Sequence, residues 1–170
     1  MKSRGFSLIE IITVLCLISL LFAFVIPFEQ HFFENKKIDM IQSQLLNAMQ
    51  FARVAAVTQG EPIFLCGSSD QKNCSNDWRS GFIMFSNEKI IDCFKNPTTH
   101  GALYFRSFPI HHPYLNFYPS GVENEQNGTF WYCEPGSAYP RWAIMIAQSG
   151  HARVVEGAVV DSQKEVLKCL

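Results

Sequence analysis

An uncharged and largely apolar run, Ile11 to Phe28, constrains this chain more than any other feature of its sequence. A run of this length predicts a helix that lies in a membrane or in the core of a helical assembly. Glu10 stands at the front edge of the run, and a carboxylate at membrane depth costs roughly 2.5–3.5 kcal/mol on insertion scales. We therefore treat Glu10 as a candidate functional residue. The alternative is a stray acid whose side chain reaches back to the membrane interface.

The residues around this run do not fit an ordinary secretory signal peptide. Such a signal ends in a small-residue cleavage site that follows the apolar stretch. Here the small residue placed for cleavage is Gly5, and it precedes the run, in "RGFSLIE" at residues 4–10. Cleavage at Gly5 would keep the apolar segment on the mature protein.

A helical pattern continues beyond the apolar run and predicts one long helix that ends near Gln59. Pro27 is expected to kink it or to melt it locally. Gly60, followed by Pro62, is a typical stop signal. Apolar residues recur at the helical period on one face, namely Ile38, Ile41, Leu45, Ala48, Ala52 and Ala55.

After Gly60 the pattern changes to short runs rich in aromatic and β-branched residues, such as "GFIMF", "ALYFRSF" and "RWAIMI". Turn-forming stretches such as "GSSD" and "NPTTHG" separate these runs. The sequence therefore predicts an α+β fold, in which the long helix packs on an antiparallel β-meander of about seven strands. The segment 161–170 is ambiguous, and a tail held down by Cys169 is one interpretation of it.

Charge and cysteine content limit the partners that this chain can have. The formal net charge is −1, so any nucleic-acid site must be a local patch. Six cysteines in an exported chain favour disulfides, and the absence of a CxxC pair argues against zinc. Sequence alone leaves the pairing open. We predict Cys66 with Cys74 across a short polar loop, and Cys133 with Cys169.

The N-terminal residues Gly5, Phe6 and Glu10, with the basic leader before them and the apolar helix after them, resemble the processing site of type IV pilins and type II secretion pseudopilins. The resemblance implies cleavage between Gly5 and Phe6 by a prepilin peptidase, and N-methylation of Phe6. It also implies that Glu10 neutralises the N-terminal amine of a neighbouring subunit during assembly, since opposite charges attract strongly in a low-dielectric bundle. The expected organisation is a leader (1–5), a hydrophobic helix (6–28), an amphipathic helix half (29–60) and a β-rich pilin domain (61–170).

Four later segments resemble the GspH/FimT group of minor pilins, in the order that this group shows. They are "QFARVAAVTQGEPIFLC", "WRSGFIMF", "LNFYPSG" and "RWAIMIAQSGHARV". The resemblance implies a bacterial inner-membrane protein that crosses the membrane once through residues 6–28. Its C-terminal domain would be periplasmic until the protein joins other major and minor pilins in a pilus or pseudopilus filament.

Members of this group differ in task, and the turn at 149–153 bears on the choice. FimT-type members bind DNA for uptake through a "G-R-x-R" motif, and the matching residues here are Gly150, His151, Ala152 and Arg153. One arginine of the motif is kept, and His151 adds charge only below about pH 6.5. Double-stranded DNA is thus one predicted partner, and the cations that could complete a patch are Arg141, Arg79 and Arg106.

Two alternatives to DNA binding stay open. Arg153 could be an ordinary strand residue paired with Glu156. The protein could also be a structural FimU- or GspH-like subunit that initiates or caps a filament without touching DNA.

The sequence contains no nucleophile elbow, phosphate-binding loop or paired-carboxylate site, so we predict no enzymatic activity and no cofactor. His100, His111 and His112 raise the question of a metal site. The adjacent pair would point to opposite faces of a strand, so we interpret all three as loop histidines and predict no metal.

Overall fold

The computed structural model describes residues 7–87, 89–97, 100–108, 111–120, 127–157, 159–160 and 165–169, with backbone only for residues 23–32. The chain forms two compact units, Met1–Asp39 and Met40–Leu170. The division falls within a single helix, α1 (Leu8–Gln59). The two units are described separately below.

In the first unit, α1 begins after Ser7, whose carbonyl oxygen accepts hydrogen bonds from the backbone N–H groups of Glu10 (3.0 Å) and Ile11 (3.3 Å). The helix is continuous through residue 27, so the local melting expected at Pro27 does not occur. Large apolar side chains are exposed at successive positions, and so on every side of the helix: Leu8, Ile9, Ile11, Ile12, Val14, Leu15, Leu17, Ile18, Leu20, Leu21 and Phe22.

Within the described residues, no helical segment combines the length and the apolar content needed to cross a membrane. The predicted leader (1–5) and Phe6 lie outside the described residues, and so do the side chains of residues 23–28.

In the second unit, the rest of α1 supplies the helical side of the core. Five of the six residues predicted to form its apolar face lie in this unit and are buried, and Leu45 and Ala52 have no exposed surface. The helix ends at Gly60, whose N–H donates to the carbonyl oxygen of Ala56 at 3.0 Å. Gly60 has a φ of +71°, in the left-handed region where glycine closes a helix most readily. The predicted end of the helix is therefore confirmed.

Eight strands follow in the described part of the chain, and they form two antiparallel sheets. Their bounds are β1 (Ile63–Gly67), β2 (Gly81–Ser86), β3 (Lys89–Lys95), β4 (Ala102–Phe108), β5 (Tyr114–Phe117), β6 (Asn127–Cys133), β7 (Trp142–Ile146) and β8 (Ala152–Glu156). Sheet A has the order β3-β2-β1-β5, and sheet B has the order β4-β6-β7-β8. The α+β fold with an antiparallel sheet is confirmed. The strands do not form one continuous meander, because β4 and β5 belong to different sheets.

Trp78 joins the cores of the two sheets. Its side chain is 1% exposed and lies before β2. Its ring lies 6.1 Å from that of Phe82 in sheet A. On the other side it lies 5.2 Å from Phe105 and 4.8 Å from Phe130, both in sheet B. Aromatic pairs at these distances add about 0.5–1.5 kcal/mol each beyond their buried area, so Trp78 holds the sheets in a fixed relation.

The C-terminal residues form a strap (159–160 and 165–169) over the outer face of sheet B. Val160 and Val166 are bridge partners, and the N–H of Leu167 donates to the carbonyl oxygen of Val159 at 2.9 Å. Val159 and Leu167 are each 3% exposed, and they pack in a cluster with Ala143, Met145, Trp131 and Val155. The strap thus covers part of the outer face of sheet B.

Candidate functional site

The turn predicted to contact DNA connects β7 to β8. The N–H of Ala147 donates to the carbonyl oxygen of His151 at 3.0 Å, and the N–H of Gly150 donates to the carbonyl oxygen of Ala147 at 2.8 Å. Gly150 has a φ of +73°. A side chain at this position would be strained, so the glycine is needed to close the turn. The result is a short, tightly bonded hairpin loop that presents His151 to solvent.

Arg153 is exposed near this loop. It is paired in register with Met145, and its Nη2 lies 3.5 Å from the Met145 sulfur. Within the described residues its guanidinium contacts no carboxylate. Glu156 does not pair with it, because residues three apart on a strand point to opposite faces. Arg153 therefore keeps N–H donors that an anion could use.

A shallow depression of about 440 Å³ lies beside the turn, and both His151 and Arg153 line it. Asn127, Met145, Ile146 and Ala147 complete its lining. Much of this wall is apolar, so the depression offers few polar groups apart from the two side chains named first.

The register of sheet B places a second arginine in line with Arg153. Arg106 is the partner of Thr129, Thr129 of Met145, and Met145 of Arg153. The two arginines lie on the first and the last of four adjacent strands, so three strand spacings, or about 14 Å, separate them. Arg106 lies over the Trp131 ring at 6.0 Å and forms an ion pair with Glu165 of the strap at 3.2 Å. The positive charge of Arg106 is therefore already paired with a carboxylate of the protein.

Arg141 and Arg79 do not join the turn. Arg141 lies at the opposite end of the β7–β8 hairpin, where its carbonyl oxygen accepts from the N–H of Gly157 at 3.4 Å. Its Nη1 forms an ion pair with Glu134 at 2.6 Å. Arg79 lies over the Tyr104 ring at 5.4 Å. The structure thus brings together Gly150, His151 and Arg153, and it separates Arg141 from them.

The two predicted cysteine pairs are bonded in the structure. Cys66 joins Cys74, and Cys133 joins Cys169, each with a Cα–Cα distance of 5.6 Å. The second disulfide holds the strap, since Cys169 is in the strap and Cys133 ends β6. Cys16 and Cys93 are free and exposed.

The assembly residues lie in the first unit. Gly5 and Phe6 are outside the described residues. Glu10 is exposed in the first turn of α1, among the exposed leucines and isoleucines that surround it on the helix. Its N–H donates to the carbonyl oxygen of Ser7 at 3.0 Å, and its own carbonyl oxygen accepts a hydrogen bond from the Thr13 hydroxyl at 2.9 Å.

Among the described residues no group of histidine, cysteine and acidic side chains could hold a metal ion. Nδ1 of His111 lies 2.9 Å from the Ser107 carbonyl oxygen, and the ring of His112 stacks on Tyr114 at 5.1 Å.

Asp70, which sequence reasoning missed, organises the loop closed by the first disulfide. Its carboxylate accepts hydrogen bonds from the backbone N–H groups of Asn73 (2.8 Å) and Lys72 (2.9 Å). The Asn73 amide and the Ser68 hydroxyl also donate to it. The Asn73 and Lys72 amides, with these side-chain donors, hold the pKa of Asp70 well below its usual range. An aspartate two and three residues before its amide donors is the sequence pattern of such a turn.

Comparison with known proteins identifies both the family and the fold. Residues 42–150 match one protein family, described as type II transport protein GspH. The structure is similar to the type IV minor pilin FimU of Pseudomonas aeruginosa (TM-score 0.55, 19% identity), over 73% of this chain and 92% of the FimU chain. It is also similar to the minor pseudopilin EpsH from the type II secretion system of Vibrio cholerae (TM-score 0.50, 11% identity), over 71% of this chain and 97% of that chain.

No curated protein sequence matches the chain. At the identities found, the likeness to FimU and EpsH is a likeness of fold. The family match has more weight, because it extends from α1 through β7 and includes the loop after β7. It covers well over half of the 170 residues. The chain therefore belongs to the GspH family, and the prediction of a GspH/FimT-like type IV pilin is confirmed.

Proposed function

We propose that this protein is a minor pilin that is anchored in the bacterial inner membrane through residues 6–28 and then enters a type IV pilus or a type II secretion pseudopilus. The observation that best supports this proposal is the apolar surface of the helix in the first unit. Its helix exposes large apolar side chains on every side, from Leu8 to Phe22. Water does not favour an apolar surface of this extent. Lipid would cover it before assembly, and the helices of neighbouring subunits would cover it afterwards.

In this proposal a prepilin peptidase cleaves between Gly5 and Phe6 and leaves a methylated amine on Phe6. Glu10 lies one turn further along the chain. In the dry core of a filament its carboxylate would be paired with the cationic amine of an adjacent subunit. An unpaired buried charge costs several kcal/mol, so the pair favours assembly over an isolated subunit.

The test is incorporation of a tagged full chain into filaments of a host that lacks its own copy of the gene. We expect Glu10→Gln to be processed normally but recovered from sheared filaments at least tenfold less than wild type, a difference of about 1.4 kcal/mol. Glu34→Gln is the matched control, since Glu34 lies on the same helix and pairs with Lys37 at 2.7 Å. Equal recovery of Glu10→Gln and wild type would overturn the role given to Glu10.

A second candidate function is binding of double-stranded DNA through the turn at residues 149–153. The observation that favours it is the exposure of Arg153, together with the lack of a carboxylate partner in the described residues. A planar guanidinium can donate two parallel hydrogen bonds to a phosphate.

DNA binding is tested by titration of the full chain in detergent micelles with duplex DNA at several salt concentrations. Arg153→Gln should weaken binding and reduce the salt slope by about one. Arg53→Gln, at an exposed position of α1, should leave both unchanged. If wild type does not bind even at low salt, the alternative holds: a structural FimU- or GspH-like subunit that initiates or caps a filament.

A further inference from the structure

A groove of about 1050 Å³ opens where three parts of the second unit meet. These are the Cys66–Cys74 loop, the open end of the β2–β3 hairpin and the turn at residues 134–138. The charged or titratable side chains in its lining are Asp70, Arg79, Lys95, His100 and Glu134. The groove is separate from the β7–β8 turn, since no residue of that turn lines it.

Arg79 is held in place in this groove. Its guanidinium lies over the Tyr104 ring at 5.4 Å, and its Nη2 donates to the Tyr104 hydroxyl at 3.2 Å. The backbone around it is also fixed. The Asn96 amide donates to the carbonyl oxygens of Trp78 (2.8 Å) and Arg79 (2.7 Å), and the N–H of Arg79 donates to Asp77 at 3.0 Å. A ligand would therefore meet an ordered guanidinium and lose little conformational entropy on that side.

The cations of the groove are available, whereas its acids are engaged. In the described part of the chain, neither Arg79 nor Lys95 contacts a carboxylate, and both are exposed. Asp70 already accepts four hydrogen bonds within its own loop. Glu134 is paired with Arg141 at 2.6 Å. The groove therefore offers unpaired positive charge to an anion.

We propose that this groove binds an acidic, extended segment of a protein partner. A carboxylate of that segment would take two parallel hydrogen bonds from Arg79, and a second would pair with Lys95. Two observations favour an acidic peptide over a nucleic acid. The ionised carboxylate of Asp70 also lines the groove, where it would repel the continuous row of phosphates of a nucleic acid, whereas a peptide can place a neutral residue opposite it. The Tyr104 ring is also already in contact with the Arg79 guanidinium and stacked on Trp131 at 5.5 Å, so it is not a free platform for a base.

The groove would bind such a segment whether or not the chain enters a filament or touches DNA. The test therefore uses the full chain in detergent micelles and a short fluorescein-labelled peptide of alternating Glu and Gly. Fluorescence anisotropy is measured at low and at physiological salt. A Gln-Gly peptide of the same length is the neutral control, and labelled duplex DNA is a separate arm.

We expect the acidic peptide to bind, and physiological salt to weaken it. Arg79→Gln and Lys95→Gln should each weaken binding about two- to fivefold, as for an exposed ion pair. Lys89→Gln is the matched control, because Lys89 is exposed at the other end of β3, and it should have no effect. All three positions are exposed, so the variants should fold, and tryptophan fluorescence checks that they do.

Several results would overturn the proposal. One is a folded wild-type chain that does not bind the acidic peptide at low salt, and another is equal binding of the neutral peptide. Lys89→Gln could weaken binding as much as Lys95→Gln does. Binding of DNA that Arg79→Gln and Lys95→Gln abolish, with no binding of the peptide, would assign the groove to nucleic acid instead.

Discussion

Removal of the Cys133–Cys169 disulfide should destabilise the β-rich second unit by about 4 kcal/mol. The two cysteines are 36 residues apart. In the chain-entropy account, a crosslink across a loop of that length removes roughly 13 cal/mol/K from the unfolded ensemble, which is about 4 kcal/mol at 25 °C. The same account gives about 2.5 kcal/mol for Cys66–Cys74, whose separation is 8 residues. The longer crosslink should therefore contribute more.

The strap determines how this loss will be observed. Val159 and Leu167 are buried against sheet B, and Arg106 pairs with Glu165. These contacts can hold the strap in place without the covalent bond, so the folded state should persist with a lower free energy of unfolding. If the strap instead detached, the folded state would gain conformational entropy, and the measured loss would fall below 4 kcal/mol.

The measurement is urea unfolding of the full chain in a mild detergent, followed by tryptophan fluorescence. All three tryptophans lie in the second unit, so the signal reports on that unit alone. The reference chain carries Cys16→Ser and Cys93→Ser, which removes the two free thiols that could mispair. Cys133→Ala and Cys169→Ala are then added to it.

Reductant provides the internal control for the disulfide measurement. In the variant that lacks Cys133 and Cys169 it can break only the Cys66–Cys74 bond, and a further loss of about 2.5 kcal/mol is expected. A loss under about 1 kcal/mol on removing the longer crosslink, with an unchanged denaturant slope, would refute the loop-entropy reasoning. The stability of the unit would then come from packing, with the disulfide contributing little.

Two further predictions concern the same unit. Leu45→Ala should lower the free energy of unfolding, measured with urea, by about 2–5 kcal/mol, because Leu45 is fully buried. Phe51→Ala, at an exposed position of the same helix, should lower it far less. Similar losses for the two variants would contradict the assignment of the buried helix face. Asp70 has a lowered pKa, so its contribution is complete above about pH 4, where the unfolded carboxyl is also ionised, and falls as the pH drops below that value. Asp70→Asn should therefore lower stability at pH 7 and flatten the acid limb of the stability curve; an unchanged acid limb would argue against the turn.

The helix and its end could be predicted because their causes are local. The apolar face follows from spacing along the chain, and the stop follows from a glycine that tolerates positive φ. The strands were also recognisable as separate runs between turn formers. Their division into two sheets was not, since β1 pairs with β5 across about fifty intervening residues. No local pattern determines such a pairing, and Trp78, which joins the two cores, lies in a segment without strand character.

The candidate sites show the same limit. The turn at residues 149–153 could be located from its glycine and from the motif around it. The alignment of Arg106 with Arg153 across sheet B could not be predicted in this way, because it depends on the register of three strand pairs. A slip of one residue in any of these pairs would move a side chain to the other face of the sheet. The separation of Arg141 from the turn follows from the same register.

A cationic side chain is available to a ligand only if no carboxylate of the folded chain already pairs with it. Neither the net charge nor the spacing of residues along the sequence gives that information. Arg106 and Arg141 are paired with Glu165 and Glu134. Arg79 and Lys95 are unpaired among the described residues, although the sequence gives them no special position. The difference is produced by folding. The tightly bonded turn at Asp70 and the 134–141 ion pair engage the acids beside the groove, so its two cations remain free for a ligand.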